Sequence, residues 1–240
     1  MCTCVYNLNL MAPNLKSIRV YFCYDVMFFR LLLNSQSLTT VHFSLSTPFP
    51  EIQKVNMLSV LCNLPDLASL SVDGYFLQSC IAENIPKWLS HAAKRLKTLT
   101  IYDLNFGDLY HIQSALCFLQ NSPNLERLTV EAWVQRRHYM HLDVNMHLDV
   151  KQAQTYLEAS GSFNQTLRRL KTIIITRVLV SRPLLLFVKL LLNHSPALEM
   201  ISIRPSVTAA ADVRECHNFK EDITRFPRAS SKAELLFLDP

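Results

Sequence analysis

Glycine is scarce in this sequence. The chain has only 3 glycines among its 240 residues, far below the usual share of about 7%. Phosphate-binding loops and nucleophile turns depend on glycine, because their backbone must bend sharply or approach the ligand closely. Gly74, Gly107 and Gly161 form none of the patterns GxGxxG, GxxxxGK or GxSxG. We therefore expect a protein that is not an enzyme, without a catalytic site or a cofactor.

Concentrated positive charge and long apolar runs are also missing. The net charge is +5, but the basic residues are scattered along the chain and do not form the patch that nucleic-acid-binding proteins present. The longest apolar run, residues 184–192, is interrupted by Lys189 and is too short to cross a bilayer. The sequence therefore predicts neither nucleic acid nor a membrane as a partner.

Cysteine usage indicates the compartment. The 7 cysteines are odd in number and dispersed, and the chain does not start with a secretory signal peptide. Such cysteines are typical of reduced thiols packed as small hydrophobic side chains. We therefore expect an intracellular protein, in the cytoplasm, the nucleus or both.

One short pattern, L-x-x-[LIV]-x-[VIF], recurs along the chain. Its leading residues are Leu15, Leu38, Leu67, Leu96, Leu125, Leu170 and Leu198. Successive leucines lie 23, 29, 29, 29, 45 and 28 residues apart. A period in the twenties with this core is the signature of leucine-rich repeats, in which each repeat contributes a strand and a helix or 3₁₀ turn. The sequence predicts an α/β leucine-rich-repeat solenoid with strand–helix repeats of about 29 residues.

Segments with helical spacing of apolar residues lie between these strands. The segment 182–193 has Pro183 in its first turn, a position that proline favours. The segment 108–120 begins at Asp108, a residue that caps helices well. Spacing also predicts helices over 24–34, 51–61 and 82–93.

A tandem duplication, MHLDVNMHLDV, occupies residues 140–150. With His138 it brings together two kinds of metal ligand: His138, His141, Asp143, His147 and Asp149. A metal site is one interpretation. The duplication falls where the repeat spacing jumps to 45 residues, however, so we interpret it as a surface loop that tolerates insertion and predict no metal site.

A sheet of this kind has one face toward the helices and one face open. Side chains alternate between the two faces of a strand, so in LERLTV the residues Leu128 and Val130 enter the core while Thr129 points outward. Tyrosine and arginine are common anchors of protein interfaces. We predict a protein-binding surface on the outward face, with these candidate residues: Arg19, Tyr21, His42, Asp73, Tyr102, Arg127, Glu131 and Arg204.

The C-terminal motifs resemble a known domain. The segments LRRLKTIIITRV, RPLLLFVKLLLNHSPALEMISI and ITRFPRASSKAELLFL are similar to the FBD domain of the plant F-box/FBD/LRR-repeat protein family. Upstream, LPDLASLSVDGYFL and the stretch SALCFLQNSPNLERL resemble the repeats of the same family. The resemblance implies a leucine-rich-repeat region over 1–150 and an FBD-like domain over 151–240, which closes the solenoid with a strand–helix–strand cap.

The resemblance also implies a function. Members of the family act as substrate receptors of SCF ubiquitin ligases: an F-box docks onto the Skp adaptor and cullin, and the repeats hold the protein to be ubiquitinated. This chain starts within a repeat, and no L-P-x-x-[IL]-[IL] motif precedes it. We therefore expect an unidentified protein substrate as its partner, and Skp and cullin only if an F-box is supplied. The alternative is a free-standing interaction scaffold or decoy with no link to ubiquitin ligase.

Overall fold

The structure, a computed structural model, describes seven segments of the chain. These are residues 14–23, 37–45, 64–80, 95–132, 146–159, 167–206 and 213–239. The helices predicted over 24–34, 51–61 and 82–93 lie outside the described residues.

The described segments contain eight parallel strands, which form one sheet in the order of the sequence. The strands are β1 (Ser17–Cys23), β2 (Thr40–Leu45), β3 (Ser69–Val72), β4 (Thr98–Leu104), β5 (Arg127–Ala132), β6 (Thr172–Val178), β7 (Met200–Pro205) and β8 (Glu234–Phe237). Because each strand pairs with the strand of the next repeat, one repeat of the sequence becomes one step of about 4.8 Å across the sheet.

The repeated pattern determines the register of this sheet. Residues at its fourth position pair directly from strand to strand, in a row formed by Ile18, Val41, Leu70, Leu99, Leu128, Ile173 and Ile201. Leu235 of the last strand extends this row. Six of the seven leading leucines, from Leu38 to Leu198, are at most 4% exposed. The aliphatic residues of the pattern therefore form one continuous core along the sheet.

Five helices are described on the other side of this core. They are α1 (Gly74–Cys80), α2 (Leu109–Asn121), α3 (Met146–Ala159), α4 (Arg182–His194) and α5 (Val213–Arg225). Each of them packs against the next in sequence. No helix within the described segments is both long and apolar enough to span a membrane.

The two helices with the clearest sequence signals are confirmed. In α2, the carboxylate of Asp108 accepts a hydrogen bond from the backbone N–H of His111 and caps the helix. In α4, Ser181 is the capping residue and Pro183 lies in the first turn. Both helices begin within a residue of the predicted start, because their capping residues satisfy N–H groups that the first turn leaves unpaired.

The loop interpretation of the duplicated segment is wrong for residues 146–150. These residues form the beginning of α3, which buries Ala153 and Leu157 against the neighbouring helices. The spacing of these two residues places them one turn apart on one face, and this contact makes a helix more stable here than a loop. The first copy of the duplication lies outside the described residues.

The sheet continues across the predicted domain boundary. Residue 150 lies within α3, and β5 pairs with β6 over five residue pairs. Phe106, just before α2, packs edge-on against Phe187 of α4 with ring centroids 5.5 Å apart. The division into a repeat region and an FBD-like domain at residue 150 stays a prediction.

Candidate protein-binding face

The outward side chains of the eight strands form a second set of rows, which we call the open face. Its central row is Arg19, His42, Ser71, Thr100, Thr129, Ile174, Ser202 and Leu236. Most of these side chains are half-buried or exposed, but Ser202 is only 7% exposed. The middle of the row, Ser71, Thr100 and Thr129, consists of short hydroxyl side chains that are half-buried.

Three aromatic rings meet at the β1 end of the open face, in a group that we call the aromatic strip. The ring centroid of His42 is 5.0 Å from that of Tyr21 and 5.5 Å from that of Tyr102. Strands β2 and β4 are separated by β3, so their backbones are about 10 Å apart. His42 can reach diagonally to Tyr102 because the cross-strand neighbour of His42 on β3 is the small Ser71.

The electrostatics of the strip are set by burial and by one arginine. Burial lowers the pKa of His42, and the positive charge of Arg19 lowers it further. Arg19 is the direct cross-strand partner of His42. The imidazole is therefore neutral at neutral pH, and the strip presents uncharged rings beside one exposed guanidinium.

Asp73 does not lie on the open face, so its predicted placement there was wrong. Its side chain is only 4% exposed. It accepts hydrogen bonds from the backbone N–H groups of Leu45 and Phe76. Because β3 ends at Val72, the alternation of faces no longer applies to Asp73, and the carboxylate turns inward to cap α1 and hold it against the end of β2.

The protonation of Asp73 reflects this position. Burial raises its pKa to about 6, and the nearby carboxylate of Asp103 raises it as well. The hydrogen bonds from Phe76, Leu45 and Ser44 act in the opposite direction. A carboxylate that is desolvated yet bonded to two backbone groups is a structural clamp between neighbouring repeats.

Two strands bordering β5 carry one extra residue at the same edge of the sheet. In β4, Tyr102 and Asp103 lie opposite the single residue Glu131; in β6, Arg177 is the extra residue. Asp103 and Arg177 have φ angles of 52° and 57°, which non-glycine residues rarely adopt. Such bulges redirect side chains, and here Arg177 forms an ion pair with Glu131.

A polar cluster lies behind this edge, between α1 and α2. His111, only 5% exposed, accepts a hydrogen bond through Nδ1 from the backbone N–H of Asn105 at 3.1 Å. Burial lowers the pKa of His111, and the carboxylate of Asp108 partly opposes this. A Cβ at Gly74 would lie 2.6 Å from Cε1 of His111 and 2.7 Å from the backbone oxygen of Asp103. Glycine is therefore required for the helices to approach this closely.

Two exposed tyrosines at this edge were not predicted from the sequence. Tyr75 and Tyr110 are 44% and 57% exposed, and each follows a capping aspartate by two residues, Asp73 and Asp108 respectively. The repeated pattern Asp-x-Tyr was a signal that could have revealed the cap at Asp73 and both tyrosines.

The other predicted surface residues are accessible to different degrees. The exposed ones are Arg19, Tyr21, Arg127 and Arg204, and the half-buried ones are His42, Tyr102 and Glu131. Arg19, Tyr21, His42 and Tyr102 come together at the β1 end, whereas Arg127 on β5 and Arg204 on β7 lie apart. Within the described segments, none of the three arginines has an ion-pair partner.

The fold and this face define a class: an α/β protein built from repeated strand–helix units that presents one side of a parallel sheet. No protein-family model matches the chain. The chain is 27% identical over 237 residues to an F-box/FBD/LRR-repeat protein of Arabidopsis thaliana. The match covers 96% of this chain and 53% of the relative, so the chain spans about half the length of the curated relative it matches. The predicted resemblance is confirmed: the chain is similar to a plant F-box/FBD/LRR-repeat protein over nearly its whole length.

Proposed function

We propose that the chain is a non-catalytic protein-binding module, the substrate-recognition part of an SCF-type ubiquitin ligase receptor. The observation that carries this proposal is the open face: a register-matched array of outward side chains, with the aromatic strip and the exposed Arg19 at its β1 end. The relative's description as an F-box/FBD/LRR-repeat protein supports a role in protein interaction.

The proposal includes a finer description of the fold. The strand–helix units form a leucine-rich-repeat solenoid, and the units built on β6, α4 and β7 form an FBD-type cap. The sequential strand order and the stacking of each described helix on the next support a solenoid, because repeats in such proteins contact mainly their neighbours.

The affinity for a substrate would come from a few anchors on the open face. Tyrosine buries a large rigid area at a low cost in conformational entropy, arginine offers several hydrogen-bond donors in a planar group, and both are enriched among the residues that dominate interfaces. Tyr21 is 54% exposed. Its ring and that of the half-buried Tyr102 both neighbour His42, which pairs across the strands with Arg19. We propose the two tyrosines and Arg19 as the principal anchors, with Arg127 and Arg204 as outlying contacts.

The link to ubiquitin ligase requires an F-box that docks onto the Skp adaptor and cullin. In that arrangement the open face holds the substrate while the ligase transfers ubiquitin to it, inside the cell in the cytoplasm or nucleus. In this proposal the chain acts by binding, and its contribution is to raise the local concentration of the substrate at the ligase.

This function is tested with a protein in which an F-box is fused to this chain, and with two variants of that fusion. The fusion would be expressed in plant cells as wild type, as Tyr102→Ala, and as Lys151→Ala, whose residue is exposed on α3 away from the open face. We expect wild type and Lys151→Ala to capture and ubiquitinate the same protein, and Tyr102→Ala to capture it at least about fivefold less.

The controls separate the possible outcomes. Circular dichroism and thermal unfolding of each variant would establish that Tyr102→Ala is folded. A captured protein that is never ubiquitinated would favour the free-standing scaffold or decoy. Equal capture by all three variants would contradict a binding role for Tyr102.

A further inference from the structure

We propose that the β1 end of the open face binds an acidic segment of the partner protein, with a carboxylate of that segment seated against Arg19 and His42 between the rings of Tyr21 and Tyr102. This inference rests on the proposed protein-binding function and specifies the chemistry of the partner. Four independent observations support it: the cross-strand pair of Arg19 and His42, the positions of the nearby carboxylates, the two tyrosine rings and the spacing of the other arginines.

The cross-strand pair is Arg19 and His42. The two residues lie directly opposite each other on neighbouring parallel strands, where side chains of like charge repel. The charge of Arg19 disfavours a proton on His42, so the pair carries one positive charge and suppresses a second. An anion placed against both side chains would neutralise Arg19 and also stabilise a proton on His42.

The carboxylates described on the surrounding strands do not form an ion pair with Arg19. Asp73 on the neighbouring β3 edge is buried and engaged by backbone N–H groups. Glu131 on β5 is paired with Arg177. Asp103 lies in the β4 bulge, where its charge acts on Asp73, and Glu234 lies on β8 at the far edge of the sheet. Among the described residues, Arg19 has no ion-pair partner.

The aromatic walls suit a peptide side chain. Tyr21 and Tyr102 flank His42 at 5.0 and 5.5 Å between ring centroids. The edge of an aromatic ring carries partial positive charge, so the rings can approach a carboxylate while they pack against the methylene groups of a glutamate or aspartate. Aromatic surroundings also exclude water, which strengthens an ion pair with Arg19.

The spacing of the other arginines favours a protein over a nucleic acid. Arg127 on β5 and Arg204 on β7 are four and six strands from β1, which corresponds to roughly 20 and 30 Å. A nucleic acid places a phosphate every few ångströms and is bound through a continuous basic surface. One guanidinium in an aromatic setting fits a single carboxylate of an acidic segment better.

The pKa of His42 itself reports on this site. The experiment follows the ring carbon–proton signals of His42 by NMR while the pH is varied, and the signals are assigned with the His42→Gln variant. The probe is a decamer of glutamate, and a decamer of glutamine is the neutral control. We expect the glutamate decamer to raise the pKa of His42 by about half a unit or more, and the glutamine decamer to leave it unchanged.

Two variants make the test specific. Arg19→Gln removes the guanidinium from the exposed side of β1; we expect a higher pKa for His42 in the free protein and a response to the glutamate decamer at least about fivefold weaker. Arg169→Gln changes an exposed arginine in the turn before β6, and we expect it to behave as the wild type.

The outcomes decide the inference separately from the proposed function. If both decamers affect His42 equally, or if Arg19→Gln responds as the wild type does, no acidic segment binds here and the inference is wrong. A response only to a phosphoserine decamer or to single-stranded RNA would also overturn it and would indicate a phosphate ligand. None of these results depends on the capture of a substrate, so the open face could still bind a protein of different chemistry.

Discussion

At the scale of single residues, Asp73 shows how a carboxylate can join two repeats. It directly follows β3 and caps α1 by accepting a hydrogen bond from the N–H of Phe76. It accepts a second hydrogen bond from the N–H of Leu45 at the end of β2. Unpaired backbone N–H groups are costly when buried. One side chain therefore satisfies two donors from different repeats, and it does so with a charge that is largely removed from water.

The protonation of Asp73 predicts a pH dependence of stability. Its pKa is raised from an ordinary 3.8 to about 6, so the folded protein holds this proton more tightly than the unfolded chain does. The resulting stabilisation is fully present below about pH 4 and is lost as the pH rises through about 6. Asparagine does not titrate, so we expect the advantage of wild type over Asp73→Asn to shrink by roughly 2–3 kcal/mol between about pH 4 and pH 7.5.

Urea denaturation of both proteins at the two pH values measures this change in the free energy of unfolding. Asp73→Asn also loses an acceptor, because its amide N–H₂ cannot accept from a backbone N–H, but that cost is the same at both pH values. A difference between the two proteins that does not vary with pH would contradict the raised pKa.

Side-chain positions within strands could be predicted from the sequence, and positions beyond the strand ends could not. The alternation of side chains between the two faces of a strand correctly placed four residues on one side of the sheet: Arg19, Tyr21, His42 and Tyr102. It failed for Asp73, because the strand had already ended and hydrogen bonding to backbone N–H groups determined the direction of the side chain.

At the scale of helices, capping residues determine where α2 and α4 begin. Asp108 Oδ1 accepts from His111 N at 3.1 Å, and Asp108 Oδ2 also accepts from Gln78 of α1 at 3.3 Å. Ser181 accepts from Leu184 N at a longer 3.4 Å. The first cap is thus shorter, charged and shared with a neighbouring helix, while the second is long and local.

This difference predicts unequal costs for removing the two caps. We expect Asp108→Ala to lower the free energy of unfolding by about 1–2 kcal/mol, the upper range for loss of a cap, and Ser181→Ala by roughly 0.5 kcal/mol or less. Chemical denaturation of the two variants beside the wild type measures both values. An equal or larger cost for Ser181→Ala would contradict this view of the caps.

One short helix, α1, and one strongly charged helix, α5, escaped prediction. α1 has only seven residues and begins at a glycine, a poor helix former. α5 is rich in charged residues and buries mainly Phe219 and Ile223. Packing against the rest of the molecule stabilises both helices, and a single sequence does not record that packing.

At the scale of the whole molecule, the seven leading leucines of the repeated pattern predicted a sheet whose strands follow the order of the sequence. The long spacing between Leu125 and Leu170 could be explained only from the structure. The 45 residues from Leu125 to Leu170 accommodate α3, whose Val150 lies against Gly107. Despite this longer connection, β6 pairs with β5 in the register of the other repeats. The long spacing therefore enlarges the helical side of one repeat and leaves the open face continuous.

The central claim is that the open face is the protein-binding surface, and site-specific photo-crosslinking tests it most directly. A benzoylphenylalanine would replace Tyr102 on the open face or, as a control, the exposed Thr155 on α3. In extracts of plant cells, we predict that the residue at position 102 crosslinks a discrete protein partner and that the residue at position 155 does not. Crosslinking of the same partner from position 155 alone would contradict the claim and place the binding surface on the helices.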